Sequence, residues 1–142
     1  MLIEQTNLGH STAAMALTKP VAVIVEDDPL VAMIGEESLR DIGYAPIIAS
    51  TATAAMALFQ GRTAPVLAVI DVGLPDGRGD ALAWRLRALH ADLRIIIASG
   101  YDEGELRMKF ADDPSITVLA KPYTEEDLVS ALRALGADFT AP

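Results

Sequence analysis

Cysteine is missing altogether from this 142-residue chain, so disulfides, thiolate metal sites and thiol catalysis are excluded. Histidine is nearly as scarce. His10 and His90 are the two present; they are isolated, speak against a histidine-built zinc site, and read as solvated surface groups. No apolar run approaches the roughly 18 residues that a membrane span requires. Basic residues are in the minority, 11 against 20 acids, for a formal net charge of −9. Such a surface argues against binding nucleic acid or acidic lipid, and leaves small cations, metal ions and basic protein partners open. The opening segment MLIEQTNLGHSTAAMALTKP lacks a basic leader region and holds only a short apolar stretch, Ala13 to Leu17, a poor signal peptide. Residues 1–19 read as a flexible extension, with Met15 as an alternative start, and the expected compartment is the cytoplasm.

What remains is globular in composition: 51% hydrophobic and 22% charged, not the pattern of a disordered chain. The length suits one domain with a single core. There is no internal repeat and no low-complexity tract. From Val21 onward, short apolar runs rich in β-branched residues appear at Val21–Val25, Ala45–Ala49, Val66–Ile70, Arg94–Ala98 and Thr117–Ala120. These suit buried strands of a parallel sheet, which need no alternation of apolar and polar residues.

Helical segments separate and follow the strands. In the first, Val31, Ile34, Ser38, Leu39 and Ile42 are expected on one inward face, with Asp28 as cap, Pro29 at the first position and Gly43 at the exit. A short second helix spans about Thr53 to Gln60. The third carries Leu82, Leu86 and Leu89 on one stripe, and the fourth, about Asp102 to Phe110, has a weak stripe. In the last, Thr124 caps, Glu125, Glu126 and Asp127 favour the helix start, and Leu128, Leu132 and Leu135 face inward. Five βα units in strict alternation predict an α/β fold, a parallel sheet covered on both faces by helices with right-handed crossovers. Ligands of such sheets bind beyond the carboxyl ends of the strands, where the winding reverses.

Those ends are chemically loaded. The first strand runs into Glu26, Asp27 and Asp28 in VEDDP. Like charges about 4 Å apart repel by roughly 1 kcal/mol in water and about 4 at an effective dielectric near 20, a cost that calls for a cation. Asp71 ends the third strand in VIDVGLPDGRG, Ser99 the fourth in IIIASG, and Lys121 the fifth in LAKP. Each residue alone has an ordinary explanation as a solvated acid, a turn serine or the stop of a strand. Their joint delivery to one edge is the signal.

This ordered set resembles the receiver domain of two-component response regulators, over about Val21 to Leu135. The ASGY element, with no segment for an output domain, is similar to short stand-alone receivers of alphaproteobacteria. The resemblance implies a flavodoxin-like (βα)5 fold with strand order 2-1-3-4-5, a receiver domain over residues 20–136 and a tail at 137–142. It implies Asp71 as phosphoacceptor, a Mg2+ site (Mn2+ as the alternative) from Glu26, Asp27, Asp71 and the backbone carbonyl of Gly73, and phosphoryl contacts from Ser99 and Lys121. Pro122 is expected after a cis peptide, as in relatives. Oxygen-only ligation is what Mg2+ prefers, and aspartyl phosphates are formed by carboxylate attack on phosphorus.

Two positions depart from the family pattern. Val118 stands where many receivers carry a switch aromatic, and Gly73 stands where many have a shielding side chain. Easier access of water is therefore expected, with the lability of the phosphorylated form set mainly by Tyr101. The expected partners are a histidine kinase or histidine phosphotransfer protein at the first helix. A downstream protein, or a second copy, would use the face of the fourth helix, fifth strand and fifth helix, including GYDEGELRMKF and Arg133. The chain is expected to be a single-domain phosphoacceptor, not an enzyme acting on a separate substrate.

Other readings fare less well. A haloacid-dehalogenase-type phosphatase needs a second acid two residues after its aspartate, where Gly73 stands. A flavodoxin-like cofactor carrier needs a phosphate-holding loop after the first strand, where three acids would repel phosphate. A receiver-shaped interaction scaffold that is never phosphorylated stays open.

Overall fold

In the computed structural model, which describes residues 18–137, the five apolar runs all become parallel strands of one sheet. They are β1 (Val21–Val25), β2 (Ala45–Ala49), β3 (Leu67–Asp71), β4 (Arg94–Ser99) and β5 (Ile116–Ala120). Numbered this way, their order across the sheet is 2-1-3-4-5. The helices are α1 (Pro29–Ile42), α2 (Ala52–Gln60), α3 (Gly79–Leu89), α4 (Glu103–Lys109) and α5 (Glu125–Ala134). Between β3 and α3 the chain folds back on itself in a two-residue antiparallel ladder, with Gly73 opposite Arg78 and Leu74 opposite Gly77. The expected extension up to residue 17, with His10 and Met15, and the tail beyond residue 137 lie outside the described residues.

The two sheet faces build two apolar layers. Val23, Val25, Ala68, Ile70, Ile95 and Ile97 point toward α2, α3 and α4, where Phe59, Leu82, Leu86 and Leu106 meet them. Ala22, Ile24, Leu67, Val69 and Ile96 point the other way, onto Leu39 and Ile42 of α1 and Leu128 and Leu132 of α5. Each fully buried Val, Leu, Ile or Phe side chain among these contributes roughly 1.5–3 kcal/mol. With α1 on one face and α2 on the other, the winding reverses between β1 and β3. Their carboxyl ends therefore flank the crevice where a ligand is expected.

Local chemistry explains the helix limits. Asp28 Oδ1 accepts from the backbone N–H of Leu30 at 2.9 Å, satisfying an orphan donor of α1. Gly43 leaves the same helix at φ 125°, a conformation open to glycine. At α5 the reciprocal capping box of Thr124 and Asp127 is complete. Thr51 and Asp76 share the start of α2, Asp76 reaching from the hairpin loop to the N–H of Ala52 at 2.8 Å. On the outer side of α3, Trp84 packs its ring on Phe110, which closes α4, with centroids 4.7 Å apart.

Several expectations need correction. Strand β3 starts at Leu67 and includes Asp71, while Val66 is largely exposed. Strand β4 extends to Ser99 and β5 begins at Ile116. Ser38, Leu39 and Ile42 of α1 are buried as expected, but Ile34 is half exposed and Val31 only partly buried, because the first turns of the helix bury Ala32 and Gly35 in their place. Small residues let the helix lie close, and Gly35 faces the hydroxyl of Tyr123. Leu89 is 54% exposed at the last turn of α3. His90 is not a free surface group; it is partly buried, with its ring 5.8 Å from that of Phe59.

Candidate functional site

The site forms because parallel strands that start in register end at one edge. Asp71, the last residue of β3, pairs with Ala98 of β4. The backbone N–H of Lys121 donates to the Ser99 carbonyl at 2.9 Å, which fixes the end of β5 beside β4. On the other side, the N–H of Glu26 donates to the Ala49 carbonyl at 3.0 Å, carrying β1 pairing one residue past the strand.

Residues far apart in sequence converge here. The Lys121 Nζ donates to Glu26 Oε1 at 2.8 Å and to Asp71 Oδ1 at 3.1 Å. The three side chains are 22%, 6% and 14% exposed respectively, so water screens them poorly. Glu26 Oε2 also accepts from the N–H of Asp28. Burial raises the Glu26 pKa above its ordinary 4.5, and the Asp71 charge adds to that rise. Hydrogen bonds from Lys121 and Asp28 work against it without cancelling it. Burial alone would lower the Lys121 pKa, but the bonds and charges of Glu26 and Asp71 raise it. Tyr123 is likewise raised, first by burial and then by Glu26.

Glu26, Asp27 and Asp71 each place a carboxylate oxygen within 4.8 Å of the others. Three carboxylates against one ammonium leave about two negative charges uncompensated in their ionised state, the charge a divalent cation supplies. The donor set is all oxygen, and Asp27 is exposed enough for an ion to keep water ligands. The residues present therefore fit a divalent ion of the Mg2+ type.

A cavity of about 410 Å3 opens beside Asp71 and is lined by Gly73, Arg78, Ser99, Tyr101 and Lys121 among others. Gly73 would meet nothing within 4 Å if it carried a Cβ. Ser99 is buried, and its hydroxyl is engaged by its own loop: it donates to the Tyr101 carbonyl and accepts from the Tyr101 N–H. The Tyr101 side chain is 83% exposed. Val118 is buried in the apolar layer and offers no polar group. The Lys121–Pro122 peptide is cis.

Sequence reading missed a charged network next to the cavity. Asp80, in the first turn of α3, is 4% exposed and accepts from Arg78 Nε at 3.0 Å and from Lys109 Nζ of α4 at 2.7 Å. Burial acts to raise its pKa, but the bonds from Lys109 and Arg78 win and hold it below 3.8. Arg78 and Asp80 flank Gly79 in the GRGD stretch, so the signal was present; the partner on α4 was not legible.

Comparison with known proteins agrees with this geometry. The chain belongs to the response regulator receiver domain family, which it matches over residues 22–133. It is 30% identical over 120 residues to the photosynthetic apparatus regulatory protein RegA of Rhodobacter capsulatus, covering 84% of this chain and 65% of RegA. It is 35% identical over 113 residues to the transcriptional regulatory protein PmrA of Pectobacterium parmentieri, covering 80% of this chain and half (50%) of PmrA. Sensor kinase CckA of Brucella abortus is 28% identical over 114 residues, which make up 12% of that protein. Among solved structures, the non-phosphorylated HemR receiver domain of Leptospira biflexa superposes with a TM-score of 0.73 at 26% identity, over 84% of this chain and 97% of that one. The protein is thus a receiver domain of the kind used in two-component signalling. Among the described residues, no helix is long and apolar enough to cross a membrane.

Proposed function

We propose that this receiver accepts a phosphoryl group onto Asp71 from a histidine kinase or histidine phosphotransfer protein, and either signals through protein contacts or passes the group onward. The observation that carries the reading is Lys121 held between Glu26 and Asp71, with Asp27 close enough to complete a cation site. An Asp71 oxygen attacks phosphorus as the bond to the donor breaks, and the donor departs with the bonding pair. Such transfer demands mainly positioning and charge neutralisation. Glu26, Asp27, Asp71 and the Gly73 carbonyl would hold Mg2+, or Mn2+ in its place, and the bound ion would supply charge neutralisation for the transfer. Lys121 supplies a fixed ammonium on the other side. Ser99 donates its hydroxyl to a phosphoryl oxygen once it releases the Tyr101 carbonyl. The chain is then a phosphoacceptor that assists its own modification and its reversal.

Partner surfaces follow from what is exposed. Leu30, Met33 and Ile34 present apolar side chains on α1, with exposures of 61%, 48% and 50%. A cavity of about 240 Å3 lined by Val31, Ile34, Pro122 and Tyr123 adjoins them. This apolar ground beside Lys121 supports α1 as the docking surface for the donor protein. Phosphorylation adds charge and strong acceptors at Asp71, and the pull on Ser99 reaches α4 through the Tyr101 loop. The α4–β5–α5 face, with Met108 and Arg133 exposed, is the surface offered to a downstream partner or a second copy.

The test is incubation with a small phosphodonor and Mg2+ followed by intact mass. One added phosphoryl group, absent in Asp71→Asn, supports the reading. No gain in the wild-type protein would leave the unphosphorylated scaffold in its place.

A further inference from the structure

The phosphoacceptor pocket has a second cation that the reading above does not use. Among the described residues lining the cavity beside Asp71, Arg78 and Lys121 are the cationic ones. Lys121 is committed to Glu26 and Asp71. Arg78 is held at the rim, 61% exposed, by an ion pair with Asp80.

Its position is set by the hairpin. Gly73 and Arg78 are directly opposed in the antiparallel ladder, and opposed residues project their side chains to the same face. Gly73 puts nothing on that face, and a Cβ there would meet no atom within 4 Å. The ladder is tied to the acceptor strand, since the Gly79 N–H donates to the Val72 carbonyl at 2.8 Å. The arginine thus stands across from an empty side-chain position, one residue from a backbone stitched to the neighbour of Asp71.

We propose that Arg78 is an anion-binding residue of the pocket, reaching across the hairpin into the space left by Gly73 to capture the phosphate of the incoming donor. The inference rests on the phosphoacceptor reading of Asp71. Its chemical need is plain: a dianionic donor must approach a chain of net charge −9 at a mouth that also holds Asp102. A guanidinium matches phosphate oxygens in a planar fork. The resting partner is arranged for release. Asp80 is also held by Lys109 at 2.7 Å, so the departure of Arg78 leaves no unpaired buried carboxylate. With an acyl phosphate as donor, an Asp71 oxygen forms the new P–O bond while the donor's own P–O bond breaks. The donor leaves as a carboxylate holding the bonding pair, with no proton transferred. Arg78 holds non-bridging oxygens and takes part in neither bond.

The test is the dependence of phosphorylation rate on acetyl phosphate concentration, followed by intact mass in the full chain with Mg2+. Arg78→Ala is expected to raise the apparent KM about three- to tenfold, the range of a charge-assisted contact at a partly exposed site. The maximal rate should stay within about twofold, since the bond-making groups are untouched, and Arg78→Lys should recover part of the loss. An unchanged KM in Arg78→Ala with normal wild-type phosphorylation overturns this role alone. So does a fall in maximal rate at constant KM. A wild-type protein that takes up no phosphoryl group overturns the acceptor reading and this inference together. Arg78 is exposed and its side chain packs into no core layer, so loss of folding does not confuse the result.

Discussion

Gly79 lies against the main chain of Asp71: a Cβ added to it would overlap the Asp71 carbonyl oxygen and stand 2.8 Å from the carbonyl carbon. The start of α3 is therefore pressed onto the strand end that carries Asp71. The contact is with backbone, which cannot swing away as a flexible side chain would. Gly79→Ala should cost about 2–4 kcal/mol, in the upper range for overpacking. Urea denaturation of the two proteins measures it; a loss under about 1 kcal/mol would mean that α3 shifts freely.

Removing the cation should expose the acid cluster's cost. At a hundredfold excess over Kd, Mg2+ should stabilise the fold by about 2.7 kcal/mol. Asp27→Asn should lose most of that gain while raising metal-free stability, because one of three facing carboxylates is neutralised. Thermal melting with and without Mg2+ reads both effects, and a flat response in the wild-type protein contradicts the cation assignment.

Two buried acids should tilt the pH dependence of metal-free stability in opposite directions. Asp80 titrates below 3.8 in the fold, so its contribution is present above 3.8 and is lost as pH falls through the lowered value. Glu26 titrates above 4.5, so its contribution is present below 4.5 and is lost as pH rises through the raised value. Asp80→Asn should flatten the acid limb and Glu26→Gln the limb just above 4.5. Denaturation midpoints from about pH 2.5 to about pH 7, which bracket both ordinary values, check the signs.

Tyr101 should govern the lifetime of the phosphorylated form. Gly73 leaves its side of the cavity open, and Tyr101 is the large side chain on the loop tied to Ser99. Tyr101→Ala should speed hydrolysis of the aspartyl phosphate about two- to fivefold, a modest water-exclusion effect on the scale where tenfold is 1.36 kcal/mol. The half-life after removal of donor is the measurement, and an unchanged half-life refutes the role.

The fold was legible because the strands are short, mainly apolar runs and the first, second and last helices open on capping side chains. Asp28, Gly43 and Thr124 all stand where their side chains or backbone freedom predict. The convergence of Glu26, Asp71 and Lys121 followed from strands ending at one edge. What failed was the inward face in the first turns of α1 and at the end of α3. Large apolar residues drew attention to Ile34 and Leu89, yet α1 packs through Ala32 and Gly35, whose smallness is itself the packing device. The bridge from Asp80 to Lys109 joins residues 29 apart, a separation at which no local pattern records a contact.

Trp84 gives the experiments above a built-in observer. It is the chain's single tryptophan, it is 42% exposed, and its ring rests on Phe110 at the end of α4. Any rearrangement of α4 relative to α3 changes what that indole touches and how much water it sees. Its emission spectrum therefore reports the packing of α4 on α3 without a dye, a label or an engineered residue.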